Sequence, residues 1–136
     1  MAPQAFMEVG VQAEPFDTAA EAKRLSEGTD VGAVVTFTGI CRSDNGRLKG
    51  LELEHFPGMA EAEITRVAEE AARRWPITGA IAIHRHGRIA AGEDIVLVIA
   101  ASAHRGAAFA PAECLLDWLT TRAPAWERDI CADGPA

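Results

Sequence analysis

The chain has no CxxC pair, no glycine-rich phosphate loop of the GxGxxG or GxxxxGK[ST] kind, no long apolar run and no excess of positive charge. Each absence removes a class of protein. Its three cysteines, Cys41, Cys114 and Cys131, are odd in number and far apart, which suggests neither a zinc ribbon nor a disulfide framework. Reduced thiols are the simple expectation. The longest apolar stretch, Ile95–Ala101, is far too short to cross a bilayer. The opening MAPQAFMEVGVQAEPF lacks the basic flank and apolar run of a signal peptide. A soluble, cytoplasmic protein without membrane contact is therefore expected. The net charge of −7 argues against nucleic-acid binding, which needs a basic face to neutralise phosphates. A small anion remains compatible, provided the few basic residues converge locally.

What is present fits one domain over residues 1–136, with 49% apolar and 24% charged residues. Phe6 to Ala13 mixes apolar and polar residues as a strand would. Asp17 can cap a helix running to Leu25, with Gly28 as its stop. Val31–Ile40 (VGAVVTFTGI) is β-branched and aromatic, the strongest strand signal in the chain. Asn45-Gly46 favours a tight turn, and Leu48–Phe56 alternates as a returning strand. After Pro57-Gly58, the spacing of Ile64, Val67, Ala68, Ala71 and Trp75 predicts an amphipathic helix that Pro76 ends. Ala80–His86 and Asp94–Ala101 predict two further strands around an Ala91-Gly92 turn. A last helix is expected over Ala107 to Arg122, with Pro111 in its first turns. Strands arriving as antiparallel hairpins with helices between them indicate the α+β class.

Several residues could carry chemistry. Ser102-Ala103-His104-Arg105 follows a buried strand and opens the last helix, a place where backbone N–H groups and the helix dipole favour an anion. Arg42 leaves the end of the strongest strand, and Arg122 and Arg128 flank the last helix's exit. Each alone reads more simply as a solvated cation or a helix-dipole partner. His84 and His86 alternate along one strand, but no third ligand is placed near them, so packing or surface roles outweigh a metal. Cys41 beside Arg42 could be an activated thiol, although a half-buried strand cysteine without a base is the commoner case. From the residues alone, the reading reaches an acidic α+β domain with an anion site built from Arg42, His104, Arg105 and Arg128. It does not reach a reaction.

Five blocks in order do reach one: DVGAVVTFTGICR, LELEHFPGM, RRWPITGAIAIHRHGRIAAGEDIVLV, SAHRGAAF and LTTRAPAWERD. Together they resemble the large, catalytic subunit of molybdopterin synthase from about Asp30 to Asp129. The resemblance implies an α/β-hammerhead type of fold and a homodimer of large subunits. Each large subunit is expected to pair with a small ubiquitin-like sulfur-carrier subunit whose C-terminal Gly-Gly thiocarboxylate enters the active site. The implied substrate is cyclic pyranopterin monophosphate, a pterin phosphate that receives two sulfur atoms to form the dithiolene of molybdopterin. The protein itself is expected to bind no metal and no cofactor.

Carried over residue by residue, the resemblance assigns Arg42, His104, Arg105 and Arg128 to substrate binding. Arg122, Pro124 and Trp126 preserve the frame of the family's TRAPxW segment. Two family lysines, implied to do the chemistry, are replaced here by Thr120 and Glu127. Losing one positioned proton-transfer group typically costs about 10²- to 10⁴-fold in rate. The alternative reading is therefore a catalytically impaired paralogue that binds the sulfur carrier or a pterin without turnover. Only Lys23 and Lys49 remain in the chain, and Lys49, expected on a loop bordering the site, is a substitute to test. The chain ends at Ala136, where family members usually continue into a closing segment, so a more open pocket is expected.

Overall fold

In the computed structural model, residues 5–55, 58–121 and 125–131 are described, with side chains for 5–54 and 58–119. Local signals account for the three helices. Helix α1 (Thr18–Ser26) begins where the Asp17 carboxylate accepts the Ala20 N–H, and Gly28 follows its end with φ of 99°. Helix α2 (Met59–Arg74) starts at Gly58, whose N–H is taken by the Glu61 carboxylate at 2.8 Å. It buries Ile64, Val67, Ala68 and Ala71 and sets Glu63–Arg66 and Glu70–Arg73 on the wet side. Helix α3 (Gly106–Thr121) contains Pro111 in its second turn and still buries Ala108, Ala112, Leu115 and Leu119.

Seven strands form two sheets. The first has the order β1-β4-β6-β2, from strands Phe6–Gln12, Ile77–Arg85, Asp94–Ser102 and Ala33–Ile40, with β1 parallel to β4 and the other pairs antiparallel. The second has the order β5-β3-β7, from Gly87–Ala90, Leu48–His55 and Ala125–Cys131, all antiparallel. The α+β class holds. The expected hairpins do not, because no two consecutive strands among those described are hydrogen-bonded neighbours. Leu48–His55 does not return along β2; it leaves for the second sheet. The turn at Asp44, Asn45 and Gly46, all at positive φ, redirects the chain between sheets rather than closing a hairpin.

Strands β4 and β6 are central and buried on both faces, which is why they read as near-continuous apolar runs. One face carries Ala80, Ala82, Val96, Val98 and Ala100 against α2 and α3. The opposite face carries Ile81, Ile83, Leu97, Ile99 and Ala101 against Leu25 of α1. This is the two-residue period of a strand sorted between two helical layers. Ile77 joins the Ala80 face despite its odd number because the β4–β6 register shifts between Ile77 and Gly79. In the second sheet, Leu51, Leu53 and Ile89 close a small core with Cys41.

Candidate functional site

The register between β2 and β6 decides where the candidate residues lie. Ala33 faces Ser102 at one end of this antiparallel pair, and Ile40 faces Asp94 at the other. The seven steps between Ala33 and Ile40 correspond to about 23 Å of strand at roughly 3.3 Å per residue. His104 and Arg105 follow the Ser102 end, whereas Arg42 follows the Ile40 end. A single chain therefore does not bring Arg42 and Arg105 into one hollow. The expected convergence of Arg42 with His104 and Arg105 within one chain is corrected to two separate places, and the side chain of Arg128 lies outside the described residues.

The Ser102 end is rigidly supported. Ser102 is fully buried, and its hydroxyl donates to the Pro76 carbonyl at 2.9 Å while accepting the His104 N–H at 3.4 Å. Gly32 donates its N–H to the Ser102 carbonyl at 2.9 Å, and a Cβ at Gly32 would collide with the Ala103 carbonyl. Only glycine permits that approach. From this support His104 and Arg105 project as exposed residues at the start of α3, where the Arg105 carbonyl accepts the N–H groups of Ala108 and Phe109. The first turn of α3 contains no acidic residue. Helix N-terminus and guanidinium thus share one sign of potential, and the imidazole stands beside them.

The Ile40 end is built differently. Cys41 is 2% exposed, with its N–H donated to the Glu93 carbonyl and its own carbonyl accepting the Gly92 N–H. It belongs to the second sheet's core with Leu51, Leu53 and Ile89, so the activated-thiol reading gives way to packing. Arg42 is exposed. Arg24, Arg47, Arg66 and Arg73 each hold a carboxylate within 3.1 Å, whereas Arg42 and Arg105 have none within 4 Å among the described residues. These four arginines are tied to carboxylates, whereas Arg42 and Arg105 stand exposed.

Thr120 falls in the last turn of α3. That helix joins β6 through a short loop and packs on β6 and β2, so it runs back along them and delivers Thr120 to the Arg42 end, about 21 Å from its start. Strand β7 then pairs with β3, setting Glu127 opposite Leu53 and Arg128 opposite Glu52 in backbone register. The side chains of Thr120, Trp126, Glu127 and Arg128 lie outside the described residues, as do Arg122 and Pro124 altogether. Lys49 stands exposed on β3, not on a loop, and its carbonyl accepts the Ala91 N–H at the same Arg42 end.

His84 and His86 are placed differently at the end of β4. His86 lies beyond the end of β4, His84 Nδ1 donates to the Arg85 carbonyl at 2.7 Å, and no metal-ligating cluster occurs among the described residues. No described helix is long and apolar enough to cross a membrane. An open groove of about 1120 Å³ between β1, α1 and the end of α2 is lined by Phe6, Arg24, Asp30, Trp75 and Thr78, and by none of the candidate residues. Strand β7 and the buried Arg85 were missed from sequence. Arg85 carried the signal of a charged residue closing an apolar strand; β7 carried none.

Comparison with known proteins shows which family the chain resembles. The model of the family described as MoaE protein matches residues 11–122. A molybdopterin synthase catalytic subunit of Mesorhizobium japonicum is 58% identical over 127 residues, covering 93% of this chain and 80% of the relative. The Escherichia coli protein of the same name is 42% identical, covering 89% of this chain and 82% of its own. Among solved structures, a molybdopterin biosynthesis MoaE protein from Burkholderia ambifaria superposes with a TM-score of 0.82 at 37% identity, covering 95% of this chain and 86% of that one. Molybdopterin synthase from Staphylococcus aureus gives 0.78 at 28% identity, covering 98% and 96%.

Proposed function

Because the chain belongs to the MoaE family, we propose that it works as a molybdopterin synthase catalytic subunit whose site is completed by a second copy of itself. It takes sulfur from the thiocarboxylated C-terminus of a small carrier subunit and delivers it to cyclic pyranopterin monophosphate. Each sulfur delivered leaves a carboxylate on one carrier, so one dithiolene discharges two carriers. The carrying observation is that Arg42 and Arg105 stand exposed at opposite ends of one strand pair, each without a carboxylate partner among the described residues.

Strand β2 supports this assembly. It is an edge of the first sheet, its sequence AVVTFTGI has no charge, and Phe37 and Ile40 are 37% and 56% exposed. Edge strands that stay free are ordinarily protected by charge, proline or a covering element. A second copy lying antiparallel along β2 about a two-fold axis covers this edge. With the axis near Thr36 and Phe37, the Ile40 end of one β2 meets the Ala33 end of the other. Arg42 then lies beside the partner subunit's His104 and the partner subunit's Arg105. Arg42 forms one wall, and the partner's loop forms the other. These cations and the helix N-terminus hold the phosphate-bearing pterin while the carrier's tail reaches it.

The test combines the protein with a thiocarboxylated carrier and the pterin monophosphate. Dithiolene product, released with two carriers consumed, supports the reading. Tight carrier binding without product would instead support the paralogue without turnover, for which Thr120 and Glu127 are the motivating substitutions.

A further inference from the structure

The corner that bears Arg42 contains a buried cation with no assigned role. Arg85, the last residue of β4, is 4% exposed. Its Nε and Nη2 donate to the Ala13 carbonyl at 3.1 and 2.9 Å, and its Nη1 donates to the Asp94 carbonyl at 3.0 Å. Glu93 Oε2 lies 3.8 Å from Nη1. One side chain thus joins the end of β1, the end of β4 and the start of β6. Burying a cation is costly unless its donors are met, and an apolar side chain of similar volume would fill the space without that cost. The arginine supplies directed bonds that an apolar residue could not.

Those bonds lead to Arg42. Glu93 Oε1 accepts the Ala90 N–H at 2.7 Å, and the Glu93 N–H is donated to the Ala90 carbonyl at 3.0 Å. The Glu93 carbonyl accepts the Cys41 N–H at 2.8 Å, and the Gly92 N–H is donated to the Cys41 carbonyl at 2.7 Å. Both backbone polar groups of Cys41 are therefore held by residues 92 and 93, and the peptide bond leading into Arg42 has one place to be. The β2–β6 register slips between Gly39 and Ile40, where a Cβ on Gly39 would approach Val96 Cγ1 to 2.6 Å. The ladder alone does not fix the exit of β2 after this slip; the 92–93 corner does.

We propose that Arg85 is a positioning residue for substrate binding: by anchoring Glu93 and Asp94 it fixes Cys41 and hence the direction in which Arg42 leaves the sheet. This rests on the reading that Arg42 holds the phosphate-bearing substrate.

The test is a double-mutant cycle in the complete complex with thiocarboxylated carrier. Arg85→Met raises KM for the pterin monophosphate about tenfold, with kcat within about twofold, and Arg85→Lys recovers part of the loss. In an Arg42→Ala background, Arg85→Met adds nothing further to KM. A residue with a merely structural role would lower thermal stability and multiply the Arg42→Ala loss. Multiplication, or an unchanged KM in a folded Arg85→Met complex, overturns the proposal. If Arg42→Ala itself leaves KM unchanged, the binding reading and the positioning role fall together, and that result is distinct from multiplication. Should Arg85→Met not fold, Glu93→Ala decides by the same cycle, because it cuts the corner from its solvent side. A KM rise of about threefold that vanishes in the Arg42→Ala background supports the proposal, and a rise that persists there overturns it.

Discussion

The two ends of the β2–β6 pair present the same chemistry on different supports. At the Ser102 end, His104 and Arg105 stand on a buried serine, a glycine pressed against a carbonyl, and the start of a helix. At the Ile40 end, Arg42 stands on a corner held by a buried arginine and backbone bonds from the β5–β6 connection. Each end exposes an arginine without a carboxylate partner among the described residues. An anion gains most where several donors converge in low dielectric, and a lone exposed guanidinium is largely screened. On the proposed reading each end is half a site, completed when two copies meet.

The sharpest way to break this comparison is subunit mixing. Arg42→Ala and Arg105→Ala should each lower kcat/KM by about 10³-fold, the loss expected for a preorganised charge aimed at a phosphate or a developing anion. If the halves belong to different chains, mixing the two variants under exchange conditions creates heterodimers with one intact site. Random mixing then restores about one quarter of wild-type activity, since about half the dimers are mixed and half of their sites are whole. No restoration, with exchange shown by mass, would place both arginines in one chain's site and end the two-copy reading.

A mid-strand substitution sharpens the same comparison from the other side. Ile99 is fully buried between the two ends and pairs with Thr36 and Ile81. Ile99→Ala should destabilise by about 3 kcal/mol through lost burial and the cavity left behind. Denaturant unfolding measures this. The folded fraction should keep its kcat/KM, because both ends are anchored by their own contacts rather than by the middle of the ladder. A fall in activity matching the stability loss would mean the ends are coupled through the sheet.

Thr120→Lys with Glu127→Lys probes the Ile40 end. Restoring cations at the two positions where the resemblance implies lysines should raise turnover by about 10- to 100-fold, at the low end of what positioned proton-transfer groups supply. Single-turnover sulfur transfer reads this directly. No gain, in a complex that binds carrier normally, would show that this chain performs the chemistry with other groups, and Lys49→Ala would then be the informative variant.

How much of this was legible in the sequence depends on whether the signal was local. Asp17, Gly28 and Pro76 punctuate helices through bonds made within a few residues, and their elements lie where expected. β4 and β6 declared their burial through apolar runs. The strand neighbours were not legible, because pairing β2 with β6 and β3 with β7 is decided by contacts far apart in the chain. Strand β7, AWERDIC, has the charge content of a loop and becomes a strand by pairing with β3. Arg42, His104 and Arg105 were identifiable as residues, yet their separation was not, since only the antiparallel register reveals that they sit at opposite ends.

The smallest effect is expected at the start of α1, far in sequence from both ends. The Asp17 carboxylate accepts the Ala20 N–H at 3.0 Å, and its helix buries Leu25 against the face formed by Ile81, Ile83, Leu97 and Ile99. Asp17→Ala leaves one helix N–H without its side-chain acceptor and should cost about 1 kcal/mol. Asp17→Asn, which keeps an oxygen acceptor, should cost only a few tenths, about what ranks the two residues as caps. Sulfur transfer should be unchanged in both, because α1 packs on the sheet face that does not carry α3 and supplies no residue to either half-site. A loss of activity in Asp17→Ala beyond its unfolded fraction would mean that α1 steadies the Gly32–Ser102 contact through β2. The Ser102 end would then lean on a helix as the Ile40 end leans on Arg85.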